Sequence, residues 1–225
     1  MNDLNKKAFT GLLRVVIGLA VLLFLPAWTF DYWQAWLFLS VFCTSTLLIT
    51  LYVMRNDPML LQRRLNAGPG AEKEKNQKVI QSFATISFII AIVFPVIDHR
   101  FAWSRVAPYV SVAGDILLAL GLLTVFFVFK ENTFTSAVIE VAPQQHVVAT
   151  GPYAIVRHPM YLGALIMFLG TPLALGSWWG LLAVIPITAV LVWRLLNEER
   201  FLSKSLSGYS EYRNKIRHRL IPFIW

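Results

Sequence analysis

The feature that most constrains this chain is a series of apolar stretches, each long enough to cross a lipid bilayer. About 20 apolar residues in a helix span the roughly 30 Å hydrocarbon core of a membrane. Four stretches meet this requirement, at 11–30, 35–54, 79–97 and 107–129. Hydrophobic residues make up 57% of the 225 positions and charged residues 14%, which is too apolar for a soluble domain of this length. The sequence therefore predicts an all-α, polytopic integral membrane protein.

A further apolar stretch, 161–196, is interrupted near its middle by turn-forming residues. The interruption contains Pro172, Gly176, Ser177 and Gly180. Because glycine and serine supply a turn there, the stretch predicts two helices in a tight hairpin. The expected architecture is four spanning helices plus a C-terminal helical hairpin. We expect residues 1–130 to form the N-terminal transmembrane helices. Residues 131–225 would form a core with the hairpin and a basic tail, within one structural unit.

The net charge of +8 is distributed as a topology signal. Basic residues concentrate in three places. Lys6, Lys7 and Arg14 precede or enter the first apolar stretch; the other two groups are Arg55, Arg63, Arg64, Lys73, Lys75 and Lys78, and Arg213, Lys215, Arg217 and Arg219. The positive-inside rule puts these segments in the cytoplasm, with Arg100 and Arg105 as exceptions on the outer side. We therefore expect a protein of the cell inner membrane with both termini and its active site facing the cytoplasm. Within the 55–78 link, Asp57-Pro58 predicts the start of a short helix.

Several functional classes lack their sequence signatures. Cys43 is the single cysteine, so no disulfide framework or thiolate metal site forms within the chain. The four histidines show no metal-binding spacing, and glycine-rich nucleotide motifs are absent from the sequence. No basic stretch interleaved with aromatic residues lies outside the apolar regions. We expect neither a metal nor a nucleic-acid partner.

The segment preceding the hairpin concentrates residues suited to a binding site. Gly151-Pro152 marks a turn, and Pro159 suits the first turn of a helix. His158 would then precede the helix, where free backbone N–H groups favour anionic ligand groups. Tyr161 projects to the same side, and Tyr153 adds an aromatic face. Each residue alone fits an interfacial anchor, but their concentration within eleven residues favours a functional site.

A second charged cluster closes the hairpin. Arg194 and Glu198 are four residues apart and would share a helix face, with Glu199 turned about 100° away. A surface ion pair between Arg194 and Glu198 explains this pattern. A site in which Arg194 grips a carboxylate explains it equally well. The sequence leaves both interpretations open.

Several motifs between residues 98 and 222 are shared with one known family. They are Asp98-x-Arg100-Phe101, Glu131-Asn132-x-Phe134, Gly151-Pro152-Tyr153, Arg157-His158-Pro159-x-Tyr161-x-Gly163, Glu198-Glu199, Gly208-Tyr209-x-x-Tyr212 and Leu220-Ile221-Pro222. With these motifs the chain resembles the isoprenylcysteine carboxyl methyltransferase family, in its prokaryotic branch. Members are polytopic membrane enzymes that use S-adenosylmethionine to methylate the C-terminal carboxylate of a prenylated cysteine.

The resemblance also implies roles for individual residues. The cofactor pocket would be lined by Gln145, His146, Val147, Val148, Tyr153, Arg157, His158, Pro159, Met160, Tyr161 and Glu199. Arg194 would hold the acceptor carboxylate, and Glu198 or Glu199 would bind the amino-acid end of the cofactor. These three residues are the catalytic candidates.

The function implied by the resemblance is S-adenosylmethionine-dependent O-methylation of an isoprenylcysteine-like or other lipophilic acceptor. That acceptor would be a small molecule or a lipidated chain, reached through membrane lipid. Three alternatives stay open: a phospholipid or amine N-methyltransferase, a nicotinamide-dependent membrane reductase with a similar core, and a non-catalytic membrane partner protein.

Overall fold

The computed structural model describes residues 3–68, 70–72 and 74–225, and regular secondary structure in these ranges is helical. The helices are α1 (Asp3–Ala27), α2 (Trp33–Asn56), α3 (Pro58–Leu65), α4 (Lys75–Phe101), α5 (Pro108–Glu131), α6 (Pro159–Ala174), α7 (Val184–Ser205) and α8 (Tyr209–Lys215), with short 3₁₀ helices at Gly151–Ala154 and Trp179–Ala183. The predicted all-α class is confirmed.

Within the described ranges, five helical segments are long and apolar enough to cross a membrane. They are α1, α2, α4, α5 and the continuous segment Trp179–Ser205 that contains α7. Helix α6 has 16 residues and forms the other arm of the predicted hairpin. The four predicted spans correspond to α1, α2, α4 and α5. Helix α1 begins at Asp3 rather than at 11, because its polar first turns contain good helix formers such as Lys6 and Lys7.

The predicted short helix between the second and third spans is also present. The Asp57 side chain accepts a hydrogen bond of 2.9 Å from the backbone N–H of Leu60, and Pro58 occupies the first turn. An acidic cap followed by proline is a common helix start. The helix then buries Leu60 and Leu61 against the membrane-spanning bundle. Its two terminal arginines are thereby carried toward the α5–α6 link.

Helices α5 and α6 approach each other at glycines. A Cβ atom added to Gly114 would lie 2.2 Å from the backbone nitrogen of Ala174, and one at Gly170 would lie 2.6 Å from the Gly114 carbonyl oxygen. Gly121 and Gly163 face each other in the same way, with corresponding distances of 2.6 and 2.9 Å to each other's carbonyl oxygens. Small residues at such positions let membrane helices pack backbone to backbone. The start of α6 is therefore rigidly placed relative to α5.

One end of the bundle is closed by a polar cluster. The Tyr32 hydroxyl donates to the Leu175 carbonyl oxygen at 2.6 Å, and its ring stacks on His99 with centroids 3.6 Å apart. The Ser177 hydroxyl donates to the carboxylate of Asp98. These contacts bring the links after α1, α4 and α6 together. The segments 57–68, 70–72, 132–158 and 206–225 therefore lie at the opposite end, where the candidate site is.

Candidate active site

The 151–161 segment sets the position of the first candidate residues. The chain turns at Gly151, whose φ is 56°, and continues as the 3₁₀ helix Gly151–Ala154. Pro159 occupies the first turn of α6, and His158 precedes it as expected. Arg157, His158 and Pro159 are all buried. The segment predicted to carry a site thus lies inside the protein, where polar groups need partners.

The chain after α8 is tied to this segment by backbone hydrogen bonds. The N–H of Arg157 donates to the His218 carbonyl oxygen at 2.9 Å, and the N–H of His158 donates to that of Arg219 at 2.9 Å. The C-terminal segment 216–225 therefore covers the link that leads into α6. It also brings the Arg219 side chain to the end of α7.

Glu199 on α7 is the carboxylate at the centre of this contact. Its Oε1 atom lies 3.0 Å from Arg157 Nη1 and 3.4 Å from His158 Nε2, and its Oε2 atom accepts from Arg219 Nε at 3.0 Å. Glu199 is only 4% exposed. Burial lowers the pKa of the Arg157 guanidinium, while the Glu199 charge acts in the opposite direction. Through these contacts, Glu199 joins α7 to both the 151–161 segment and the C-terminal segment.

The neighbouring Glu198 reaches the same region but has a different partner. The Tyr161 hydroxyl donates to Glu198 Oε2 at 2.6 Å, and the Tyr161 ring packs edge-on against the His158 ring. Two adjacent carboxylates of α7 thus contact residues of the α6 start, 37 and 41 positions earlier in the chain. The polar ends of the hairpin, predicted as two separate clusters, meet at Glu198 and Glu199.

Tyr153 lies on the side of this cluster that faces α8. Its hydroxyl accepts from Asn132 Nδ2 at 3.1 Å, and its carbonyl oxygen accepts from the Tyr212 hydroxyl at 2.8 Å. Its ring packs against the apolar cluster of Leu206, Tyr209 and Tyr212. Burial raises the pKa of Tyr153, so its hydroxyl stays protonated well above neutral pH.

The remaining residues predicted to bind the cofactor lie in different surroundings. Val147 packs beneath α8, but Gln145 accepts from the Ala142 N–H within its own loop at 2.8 Å. His146 is exposed and packs edge-on against Phe134, while Val148 is half-buried. The Met160 sulfur lies 3.8 Å from Arg64 Nη1. Of the 145–148 stretch, Val147 is thus the member that packs against the same apolar cluster as Tyr153.

Arg194 does not form its ion pair with Glu198, which was one of the two interpretations left open. Its Nη2 atom donates to Glu72 Oε1 at 2.8 Å and to the Ala137 carbonyl oxygen at 3.0 Å, and its Nη1 atom donates to Gln81 Oε1 at 2.6 Å. The Arg194 side chain is 11% exposed and that of Glu72 is 1% exposed. This guanidinium is therefore held in a buried site that already contains a carboxylate.

Glu72 is a residue that sequence reasoning missed. It lies in the link between α3 and α4, 122 positions before Arg194, in a stretch whose positive charges dominated the sequence interpretation. Its second oxygen accepts from the Ile139 N–H at 3.3 Å. The signal was a pair of acidic residues, Glu72 and Glu74, in a link where basic residues predominate. Nothing in the spacing connects Glu72 to α7.

Two arginines of α3 hold the 132–140 segment in place. Arg63 donates to the Thr133 carbonyl oxygen at 2.5 Å, and Arg64 donates to that of Ser136 at 2.8 Å. Burial and the nearby positive charge of Arg194 lower the pKa of Arg64. These arginines were interpreted only as topology signals, yet they position the chain beside Arg194.

Two cavities flank the cluster. One, of about 440 Å³, is lined by Glu72, Glu74, Gln77, Ile139, Glu140, Val141, Asn197, Arg200, Phe201 and Lys204. It carries acidic groups on the α4 side and basic groups on the α7 side. The other, of about 530 Å³, is lined by Arg157, Arg213, Asn214, Arg217 and Arg219, which we call the arginine basin.

Comparisons with known proteins agree with the motifs in the second half of the chain. Residues 109–208 match the phospholipid methyltransferase family model. A probable protein-S-isoprenylcysteine O-methyltransferase of Oryza sativa subsp. indica is 28% identical over 158 residues, which cover 67% of this chain and 78% of the rice protein. The protein-S-isoprenylcysteine O-methyltransferase of Schizosaccharomyces pombe is 29% identical over 146 residues, 62% of this chain and 56% of that protein.

A shorter match links the chain to a different activity. The delta(14)-sterol reductase TM7SF2 of Mus musculus is 33% identical over 90 residues, 39% of this chain and 22% of the reductase. The fold, the clustered motifs and the matches together define a membrane-embedded methyltransferase. The predicted resemblance to the isoprenylcysteine carboxyl methyltransferase family is confirmed. Its assignment to the prokaryotic branch stays a prediction.

Proposed function

We propose that the protein transfers a methyl group from S-adenosylmethionine to the carboxylate of a lipophilic acceptor, of the isoprenylcysteine type. The observation that carries this proposal is the largely buried side chain of Arg194, which already holds a carboxylate at 2.8 Å. The names of the rice and fission-yeast relatives support the same acceptor class.

The Arg194 surroundings suit a carboxylate acceptor. Gln81 and the Ala137 carbonyl oxygen fix the guanidinium, and the 440 Å³ cavity reaches Glu72 from the side of α4 and α7. An acceptor carboxylate would replace Glu72 on Arg194. Because arginine grips carboxylates through two parallel N–H groups, the replacement would orient the acceptor as well as bind it.

The charges around Glu198 and Glu199 distinguish these two candidates for binding the methyl donor. S-adenosylmethionine carries a sulfonium and an ammonium, which carboxylates and aromatic faces stabilise. Glu199 is paired with Arg157, Arg219 and His158, whereas Glu198 accepts its hydrogen bond from the neutral hydroxyl of Tyr161. We therefore propose Glu198, rather than Glu199, as the carboxylate that binds the donor's ammonium. The residues present fit this cofactor.

The chemistry requires alignment more than acid–base catalysis. The cofactor supplies an electrophilic methyl group on a positively charged sulfur. A carboxylate acceptor is ionised at pH 7, so no general base is needed. Arg194 would hold the acceptor, and Glu198 with Tyr161 would hold the donor end, so that reacting groups meet in line. The Arg194 side chain is 11% exposed, and the exclusion of water from its surroundings would favour a reaction that removes opposite charges.

We also propose that this end of the bundle faces the cytoplasm, in the cell inner membrane. The basic residues of α3 and of the segment after α7 support that orientation. The donor would then enter from the cytoplasm, and the acceptor would enter from the lipid between helices.

The test uses purified protein in detergent, donor labelled on its methyl group, and a prenylated cysteine with a free carboxylate. The expected product is a methyl ester, which releases labelled methanol in mild alkali. The matched control is the same prenylated cysteine as its carboxamide, which should take no label. Transfer to the carboxamide, or an alkali-stable product, would contradict carboxyl methylation.

The phospholipid methyltransferase match supports one alternative, N-methylation of an amine-bearing headgroup. The same assay with phosphatidylethanolamine distinguishes it, because an N-methyl group is stable to alkali. The reductase match supports a nicotinamide-dependent activity over a shorter stretch. Binding of a nicotinamide cofactor in place of S-adenosylmethionine would favour that alternative.

A further inference from the structure

The arginine basin is a separate feature from the Arg194 site. Four guanidinium groups, those of Arg157, Arg213, Arg217 and Arg219, line one open hollow of about 530 Å³. Glu199 pairs with two of them, Arg157 and Arg219. Four positive charges against one carboxylate leave a strongly positive hollow, which attracts anions.

One of these arginines has a buried nitrogen atom for which the described residues provide no hydrogen-bond acceptor. Arg157 is 7% exposed, and among the described residues its Nε atom has no hydrogen-bond acceptor. A buried, unsatisfied guanidinium N–H is costly, and native proteins usually satisfy such groups. An anion seated in the basin would supply the missing acceptor. Phosphate is the group that arginine forks recognise best besides carboxylate.

The surroundings of the basin indicate where that phosphate comes from. Phe223 is 89% exposed and Ile224 is 78% exposed, directly after the segment that carries Arg217 and Arg219. The Arg219 guanidinium lies over the Trp225 ring, 5.3 Å from its centroid. Exposed apolar and aromatic side chains beside basic groups are typical of segments that lie in the membrane interface. The basin would then open toward lipid headgroups.

We propose that the arginine basin binds the phosphate of an anionic lipid headgroup, with Phe223 and Ile224 inserted into the adjacent leaflet. The bound lipid would hold the 216–225 segment against Arg157 and His158. This site is distinct from the acceptor site at Arg194, and its occupation does not depend on which molecule is methylated.

The test measures lipid binding rather than turnover. Short-chain phosphatidylglycerol is titrated into the full chain in neutral detergent, and bound lipid is counted by native mass spectrometry. Arg217→Gln should weaken binding about fivefold, since a basic residue near an anionic lipid surface contributes about that much. Lys215→Gln is the matched control: it removes one exposed positive charge two positions away, outside the basin, and should leave binding unchanged.

Three results would overturn the proposal. Equal weakening by Arg217→Gln and Lys215→Gln would mean diffuse attraction instead of a site. Equal binding of phosphatidylcholine would remove the preference for an anionic headgroup. Inorganic phosphate that binds as tightly as the lipid would assign the basin to a free anion. Since both substituted side chains are exposed, unchanged thermal unfolding is expected for the two variants.

Discussion

The Arg194 guanidinium and the Glu72 carboxylate lie 2.8 Å apart, in a site where the Glu72 side chain is almost fully buried. Helix α7, which carries Arg194, is thus joined to the link between α3 and α4. The pair matters for function because the acceptor carboxylate proposed above would occupy the place of Glu72.

Replacement of Arg194 by alanine should abolish methyl transfer while donor binding persists. We expect kcat/KM to fall about 100-fold or more, since a misplaced reactant costs that much. Arg194→Lys should recover little, because lysine lacks the planar fork. Donor affinity by calorimetry and turnover by the methyl ester assay are the measurements.

Because Arg194→Ala also leaves the buried Glu72 without its cation, folding needs a control. The double variant Glu72→Gln/Arg194→Met removes both charges and should regain much of the lost stability. It should remain inactive. Recovery of turnover in the double variant would contradict the role of Arg194.

Neutralising Glu72 alone should strengthen acceptor binding. In Glu72→Gln the amide still fills the space, but competition for the Arg194 charge weakens, so the KM for the carboxylate acceptor should fall. Thermal stability should fall as well, because a buried cation loses its partner. An acceptor KM that rises with the substitution would mean that Glu72 assists binding instead of competing.

Substitutions of the two adjacent glutamates should have different effects, on donor binding at Glu198 and on folding stability at Glu199. Glu198→Gln should weaken donor affinity about tenfold or more, the loss expected for a hydrogen bond to a charged group, with little change in unfolding temperature. Glu199→Gln should destabilise the protein by about 3 kcal/mol, because Arg157 and Arg219 lose their shared carboxylate. The reverse assignment of the two effects would transfer the donor role to Glu199.

The glycine contact between α5 and α6 predicts a position-specific loss of stability. Gly114→Ala places a Cβ atom 2.2 Å from the Ala174 nitrogen, and we expect a loss of about 1–3 kcal/mol from overpacking. Gly18→Ala is the matched control, since a Cβ atom there meets nothing within 4 Å. The control should be neutral or slightly stabilising, because alanine favours a helix over glycine. Thermal unfolding in detergent compares the two.

The helices were predictable from the sequence because each follows from a local property. The length of the apolar stretches predicted the spans, Asp57-Pro58 predicted the start of α3, and Gly176-Ser177 predicted the hairpin turn. The nearness of the two polar clusters followed from helix pairing in the hairpin, although no contact between Tyr161 and Glu198 was predicted. The partner of Arg194 did not, since Glu72 reaches it through an irregular link that has no periodicity to interpret.

The backbone contact at Gly114, Gly121, Gly163 and Gly170 limits how the candidate site can open. Packed helices can slide past one another when side chains separate their backbones. At these glycines no side chain separates α5 from α6, so the two helices cannot slide in this way. The first turn of α6 is thus anchored to α5. Widening that admits a ligand would therefore come from α7, the segment that follows it or the link that carries Glu72, and not from the α5–α6 contact.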